Sequence, residues 1–251
     1  MRELWFGDKL FAIEEGTGTP LVALHGGLAD HRLTRGMLGA LAGPLRLITP
    51  DLRGSGRSHD PGPLTWDRLA DDIPALLDHL ALPRAIVLGM SSASGVAVRF
   101  ALRHPDRLAA LVAMLPVYPG RDRGLTDAQR ATFAMMDALG RRAPAEGPRV
   151  LLPLLERLPP ERRERAAASL HELDPASIAA TTAWLASGEQ PFETAGELRA
   201  ITAPALIVPG SDATHPADVA ALYAAELPHA TVVRDPDVTA AIAAWCATID
   251  P

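Results

Sequence analysis

The chain has 251 residues, a formal net charge of -6, and 48 % hydrophobic residues. This composition suits a globular protein with a sizeable core, excludes a disordered chain, and offers nothing to attract nucleic acid or an anionic membrane. A single cysteine, Cys246, excludes an internal disulfide, the N-terminus lacks the apolar core of a signal peptide, and no apolar run reaches the ~20 residues that span a bilayer. The expectation is therefore a cytoplasmic protein.

In chain order, "LWFGDKLFAIEEG" reads as a hairpin and "PLVALHGG" as a buried strand ending in glycines. "LRLITPDLRG" is another strand, and "TWDRLADDIPALLDHLAL" has helical spacing with Asp67, Asp71 and Asp72 on its outer side. "RAIVLGMSS" is a strand feeding the helix "ASGVAVRFALRHP", and "LAALVAMLP" is a further strand. From about Val117 to Glu197 no strand candidate appears; helical segments such as "TDAQRATFAMMDALG" and "PASIAATTAWLASG" fill the interval. The alternation resumes with "APALIVPGSD", "PADVAALYAAELP", "ATVVRD" and "DVTAAIAAWCATI". Strands alternating with helices predict an α/β fold with a mostly parallel, doubly wound sheet of about eight strands. The expected division is a core of residues 1–116 and 198–251 with a helical lid over 117–197. A separate helical domain is the alternative, but the sheet on either side looks incomplete alone.

The strongest local signal is "VLGMSSASG", Val87 to Gly95, in which Ser91 follows a buried strand and opens a helix. Gly89 and Ala93 flank it, as a tight strand–helix turn demands, because bulkier residues would collide across it. Such a turn exposes the hydroxyl at the sheet edge and points a helix N-terminus at whatever is bonded to it. The competing reading is a turn without chemistry, or an N-cap in which Ser91 or Ser92 satisfies helix amides.

Two more stretches lie at strand ends: "HGG", His25 to Gly27, and "DLRGSGRS", Asp51 to Ser58. In this order with the serine elbow, the chain resembles the α/β-hydrolase fold superfamily over essentially its whole length, with Ala93 standing where the second elbow glycine is usual. The resemblance implies a catalytic nucleophile at Ser91 and an oxyanion hole from the backbone N–H groups of Gly27 and Ser92. It implies a structural role for Asp51 and Arg53, and usually for His25. The acid of such a site follows the strand after the lid. There "ALIVPGSDATHP" offers Asp212 two residues beyond Gly210, although a turn or helix-capping aspartate would look the same.

The family's histidine belongs in a turn after the last strand. Counting on from Asp212 by the usual spacing lands on Asp237, Val238 and Thr239, and the turn "DPD" holds no histidine. His229 precedes the last strand and so belongs to the opposite edge of the sheet. His215, three residues beyond Asp212, is the substitute base in the loop that opens toward Ser91, unless it merely lines the pocket or caps the next helix. His31 is a second candidate, beside a pocket guessed to include His25, Met90, Phe133, Met135, Met136 and Trp184.

Two functions remain open on these residues. One is a serine-dependent hydrolase of a small, apolar carbonyl substrate, an ester or lactone, working through an acyl-enzyme on Ser91 without cofactor or metal. The other is a non-hydrolytic relative, a ligand-binding module or a lyase, cyclase or transferase, as the missing histidine suggests.

Overall fold

The computed structural model describes residues 1–7, 9–58, 62–156 and 160–250. A hairpin of β1 (Arg2–Phe6) and β2 (Leu10–Glu15) leads to β3 (Thr19–Leu24), α1 (His31–Leu38), β4 (Leu45–Pro50) and α2 (Trp66–His79). Next come β5 (Ala85–Met90), α3 (Ser92–Arg103) and β6 (Leu108–Met114). Five helices follow without a strand among the described residues: α4 (Asp127–Gly140), α5 (Ala143–Glu146), α6 (Leu152–Leu155), α7 (Pro160–Ser169) and α8 (Pro175–Ala186). The chain closes with β7 (Ala205–Val208), α9 (Ala217–Glu226), β8 (Ala230–Val232) and α10 (Val238–Cys246).

The eight strands form one sheet in the order β1-β2-β4-β3-β5-β6-β7-β8. The pairs β1/β2 and β2/β4 are antiparallel, and every pairing from β4 through β8 is parallel. Alternate residues point to opposite faces of a strand, so a sheet covered on both sides needs apolar residues at both parities. In β5, Val87 joins the core shared with α2, α3 and α9, whereas Ile86, Leu88 and Met90 join the one shared with α1 and α10. The same split divides Ala205 and Ile207 from Leu206 and Val208 in β7. A third apolar cluster of Ala143, Val150, Leu151, Leu170 and Ile178 belongs to the helical stretch, and Leu28 packs against it from the loop after β3.

Between α2 and α3, Asp67 and Asp71 pair with Arg99 and Arg103, so the acidic outer side of α2 faces basic residues of its neighbour. No described helix is long and apolar enough to cross a membrane.

The register fixes the working edge. Leu24 lies opposite Gly89, Met90 opposite Met114, and Met114 opposite Val208. The loops after β3, β5, β6 and β7 therefore leave the sheet side by side, at the carboxyl ends where open α/β sheets bind ligands.

Candidate active site

Ser91 is the residue on which β5 turns into α3. Its backbone has φ +54° and ψ -123°, a sparsely populated setting for a residue with a Cβ. The turn is held from both sides: Ser91 N–H donates to the Met114 carbonyl at 2.9 Å, and the Ser91 carbonyl accepts from Ser94 N–H at 2.9 Å. Gly89 is required by contact, since a Cβ there would sit 2.1 Å from the Ala93 carbonyl oxygen. Ser91 occupies the N-cap position, yet its side chain makes no capping bond. Its Oγ instead lies 2.8 Å from Nε2 of His215.

His215 comes from the loop after β7. Asp212 folds that loop on itself: its Oδ1 accepts from Thr214 N–H at 2.8 Å and His215 N–H at 2.9 Å. The same carboxylate accepts from His215 Nδ1, at 3.0 Å to Oδ1 and 2.9 Å to Oδ2. An ionised carboxylate only accepts, so Nδ1 carries the proton and Nε2 presents its lone pair to the Ser91 hydroxyl. Partial burial raises the Asp212 pKa, but the hydrogen bonds it accepts from the His215 side chain and from the His215 and Thr214 amides outweigh it and hold the carboxyl below its ordinary 3.8. Asp212 is well exposed at 65 %, whereas the His215 side chain is exposed by only 15 %. Gly210 lies directly under the imidazole, because a Cβ there would stand 2.4 Å from His215 Cβ.

The glycines after β3 face the Ser91 turn. A Cβ on Gly26 would lie 3.1 Å from Ser91 Cβ, and one on Gly27 would lie 3.5 Å from Ser92 Oγ. His25 is fully engaged beneath them: Nε2 accepts from Leu52 N–H at 2.9 Å, so Nδ1 bears the proton and donates to the Gly26 carbonyl at 2.7 Å. Burial pushes the His25 pKa down and keeps the ring neutral, as this pairing requires. In a trans peptide the carbonyl and the following N–H point opposite ways. With the Gly26 carbonyl tied to His25, the Gly27 N–H points away from that ring, and among the described residues it meets no acceptor. Ser92 opens α3, so its N–H is among the helix's orphan donors.

The remaining candidates sit in the scaffold. His31 donates its backbone N–H to Asp51 Oδ1 at 2.7 Å and holds the same oxygen with Nδ1 at 2.8 Å. Arg57 N–H takes the other oxygen at 2.8 Å, and Gly56 passes so close that a Cβ would lie 2.3 Å from it. Asp30, His31 and Asp51 are the group among the described residues whose ligand atoms approach as metal ligands would. Asp30, however, is paired with Arg32 and caps α1, and Asp51 accepts from the His31 and Arg57 amides and the His31 ring, so these atoms already serve the loop. Arg53 pairs with Asp72 on α2. Met90 and Phe133 are buried in the core, Met135 is half-buried, and Met136 and Trp184 pack against the core's edge, Trp184 with its ring 4.6 Å from that of Trp66. His229 lies at the entry edge of β8, where its carbonyl accepts from Ala205 N–H at 3.0 Å.

Gln129 carried no sequence expectation of its own. It is fully buried on α4, and its Nε2 donates to the carbonyls of Val117 at 2.8 Å and Thr214 at 3.0 Å. Only the spacing of Thr126 and Gln129, a capping-box pattern, signals it in the sequence.

Comparison with known proteins agrees with this architecture. The family model for the alpha/beta hydrolase fold matches residues 19–242. The AB hydrolase superfamily protein YisY of Bacillus subtilis is 34 % identical over 118 residues, 45 % of this chain and 44 % of that protein. The 2-hydroxymuconate semialdehyde hydrolase of a Pseudomonas species is 34 % identical over 106 residues, 40 % of this chain and 38 % of that protein. The chain thus spans less than half the length of these relatives. A solved hydrolase from Pseudomonas aeruginosa superposes over 94 % of this chain and 91 % of its own, with TM-score 0.72 and 27 % identity.

Proposed function

The chain belongs to the alpha/beta hydrolase fold family, and on that premise we propose that it is a serine hydrolase of small carbonyl compounds, an ester or a lactone. The observation that carries the reading is the continuous hydrogen-bonded line from Asp212 through His215 to the Ser91 hydroxyl, 2.8 Å at its last step. In this reading Ser91 Oγ attacks the carbonyl carbon while His215 Nε2 takes its proton. Asp212 holds the imidazole in the required tautomer and stabilises the imidazolium that forms. The Gly27 and Ser92 amides receive the charge on the carbonyl oxygen, a contribution of about 3 kcal/mol per donor in comparable sites. His215 returns the proton to the departing alkoxide, and water, deprotonated by the same imidazole, then releases the acyl group from Ser91.

In the same reading residues 117–197 are a lid. Its helix α8 stands close over the oxyanion loop, since a Cβ on Gly27 would come 2.9 Å from Leu185. A hollow beside that loop is lined by Leu28, Ser55, Ser177, Ile178 and Thr181. The tight approach of Leu185 favours a small acyl group. The hydrolases among the relatives and the solved structures support the reaction class. The test is labelling with an alkyl fluorophosphonate: wild type is expected to gain one phosphonyl group on the peptide containing Ser91, and Ser91→Ala none. A wild type that stays unlabelled, or labelling that survives Ser91→Ala, overturns the reading.

A further inference from the structure

The base of this site sits on an exposed loop, and a precise imidazole needs more than an exposed loop to hold it. Resting on the proposed roles of Ser91, His215 and Asp212, we infer that Gln129 is the positioning residue that aims His215 at Ser91, and that through it the helical stretch holds the base. The Thr214–His215 peptide is the rigid unit immediately before the histidine Cα. Its N–H is taken by Asp212 Oδ1 at 2.9 Å and its carbonyl by Gln129 Nε2 at 3.0 Å. Fixing both ends of that plane fixes the direction in which the His215 side chain departs.

Gln129 is itself immobilised. It is 0 % exposed, its second amide hydrogen goes to the Val117 carbonyl at 2.8 Å, and its Oε1 accepts from Thr126 N–H at 3.0 Å. Val117 lies just beyond β6, the strand between those that carry Ser91 and His215. The amide therefore spans the exits of two neighbouring strands from the first turn of α4. Apart from Gln129, the loop is braced by its own Asp212 turn and the Gly210 contact. A competing purpose for Gln129 is the capping box it forms with Thr126, which any helix N-terminus can use. The two purposes separate chemically. A glutamate keeps the capping acceptor but loses both N–H donors and faces two carbonyl oxygens; a methionine keeps the shape and loses every hydrogen bond.

The experiment compares wild type, Gln129→Glu, Gln129→Met and Thr126→Ala, with p-nitrophenyl acetate as substrate and amide hydrogen exchange of residues 209–217 as an independent readout. Positioning predicts a kcat fall on the order of 10²-fold, the scale of an ångström of misplacement, with KM within about twofold for both Gln129 variants. It also predicts faster exchange at Thr214 and His215. Thr126→Ala, which loses the cap alone, is expected to keep both kcat and that protection. Unchanged exchange in a folded Gln129 variant overturns the clamp. Faster exchange with unchanged kcat, or an equal kcat loss in Thr126→Ala, overturns the positioning role. A wild type inert to the ester overturns the hydrolase reading instead, and the exchange data alone then decide whether Gln129 holds the loop.

Discussion

Two loops at the same edge of the sheet differ in what they carry. The eight residues after β7, 209–216, hold both Asp212 and His215, whereas the five after β8, 233–237, hold two aspartates and no histidine. In the second loop Asp235 accepts from Asp237 N–H at 2.8 Å and Asp237 caps α10 through Ala240 N–H at 3.0 Å, so its carboxylates serve only the start of a helix. Loop length set against distance explains the division. β7 lies two strands from β5 and β8 lies three, or about 10 and 14 Å at the ~4.8 Å strand spacing. The longer loop crosses the shorter gap. The five-residue turn must at once start a helix that packs Ile242 and Cys246 under the sheet, and it has no chain left to reach Ser91. Asp212 and His215, three residues apart, behave as one folded unit, in which the carboxylate bonded to the imidazole also shapes the backbone beneath it.

That contrast can be broken at several points. Among substitutions of the two loops other than at His215 itself, Asp212→Asn should cost most, about 10⁴-fold in kcat for p-nitrophenyl acetate, because the carboxylate fixes the imidazole tautomer. The carboxyl is held below its ordinary pKa, so its stabilisation is present above that value and lost as pH falls through the lower one. Amide protection at Thr214 and His215, followed by NMR, should accordingly survive acidification through the ordinary carboxylate range and be lost only below it. Gly210→Ala should come next, at about 10²-fold in kcat, because the new methyl displaces His215. Asp237→Ala should be smallest in activity, within about twofold, while it removes a helix cap and lowers stability by about 1 kcal/mol in a urea titration. A large activity loss there would mean that the second loop takes part in the site after all.

Much of the fold was legible because its signals are local. The alternation of apolar strands with helices located the sheet, and small residues about Ser91 located the tight turn from β5 into α3. Helix α1 was not legible, since its pattern runs against hydropathy: Leu33 and Met37 are exposed while His31 and Thr34 are buried. The last strand is shorter than "ATVVRD" suggests, with ladder partners only on its β7 side. His215 stood out only by its nearness to Asp212, because the direction of its ring depends on Gly210, on the Asp212 turn and on an amide more than eighty residues away in sequence. Gln129 itself reads as a helix cap, and its second task exists only once the chain has folded. His25 and His31, read as pocket candidates, are drawn inward by Leu52 and Asp51, partners that no spacing rule pairs with them.

The central claim is that the histidine beside the acid activates Ser91. The most direct measurement is the second-order rate of Ser91 acylation by p-nitrophenyl acetate in His215→Ala relative to wild type, with folding checked by thermal melting. The expected loss is on the order of 10⁴- to 10⁶-fold. A folded His215→Ala protein that acylates within about tenfold of wild type would contradict it.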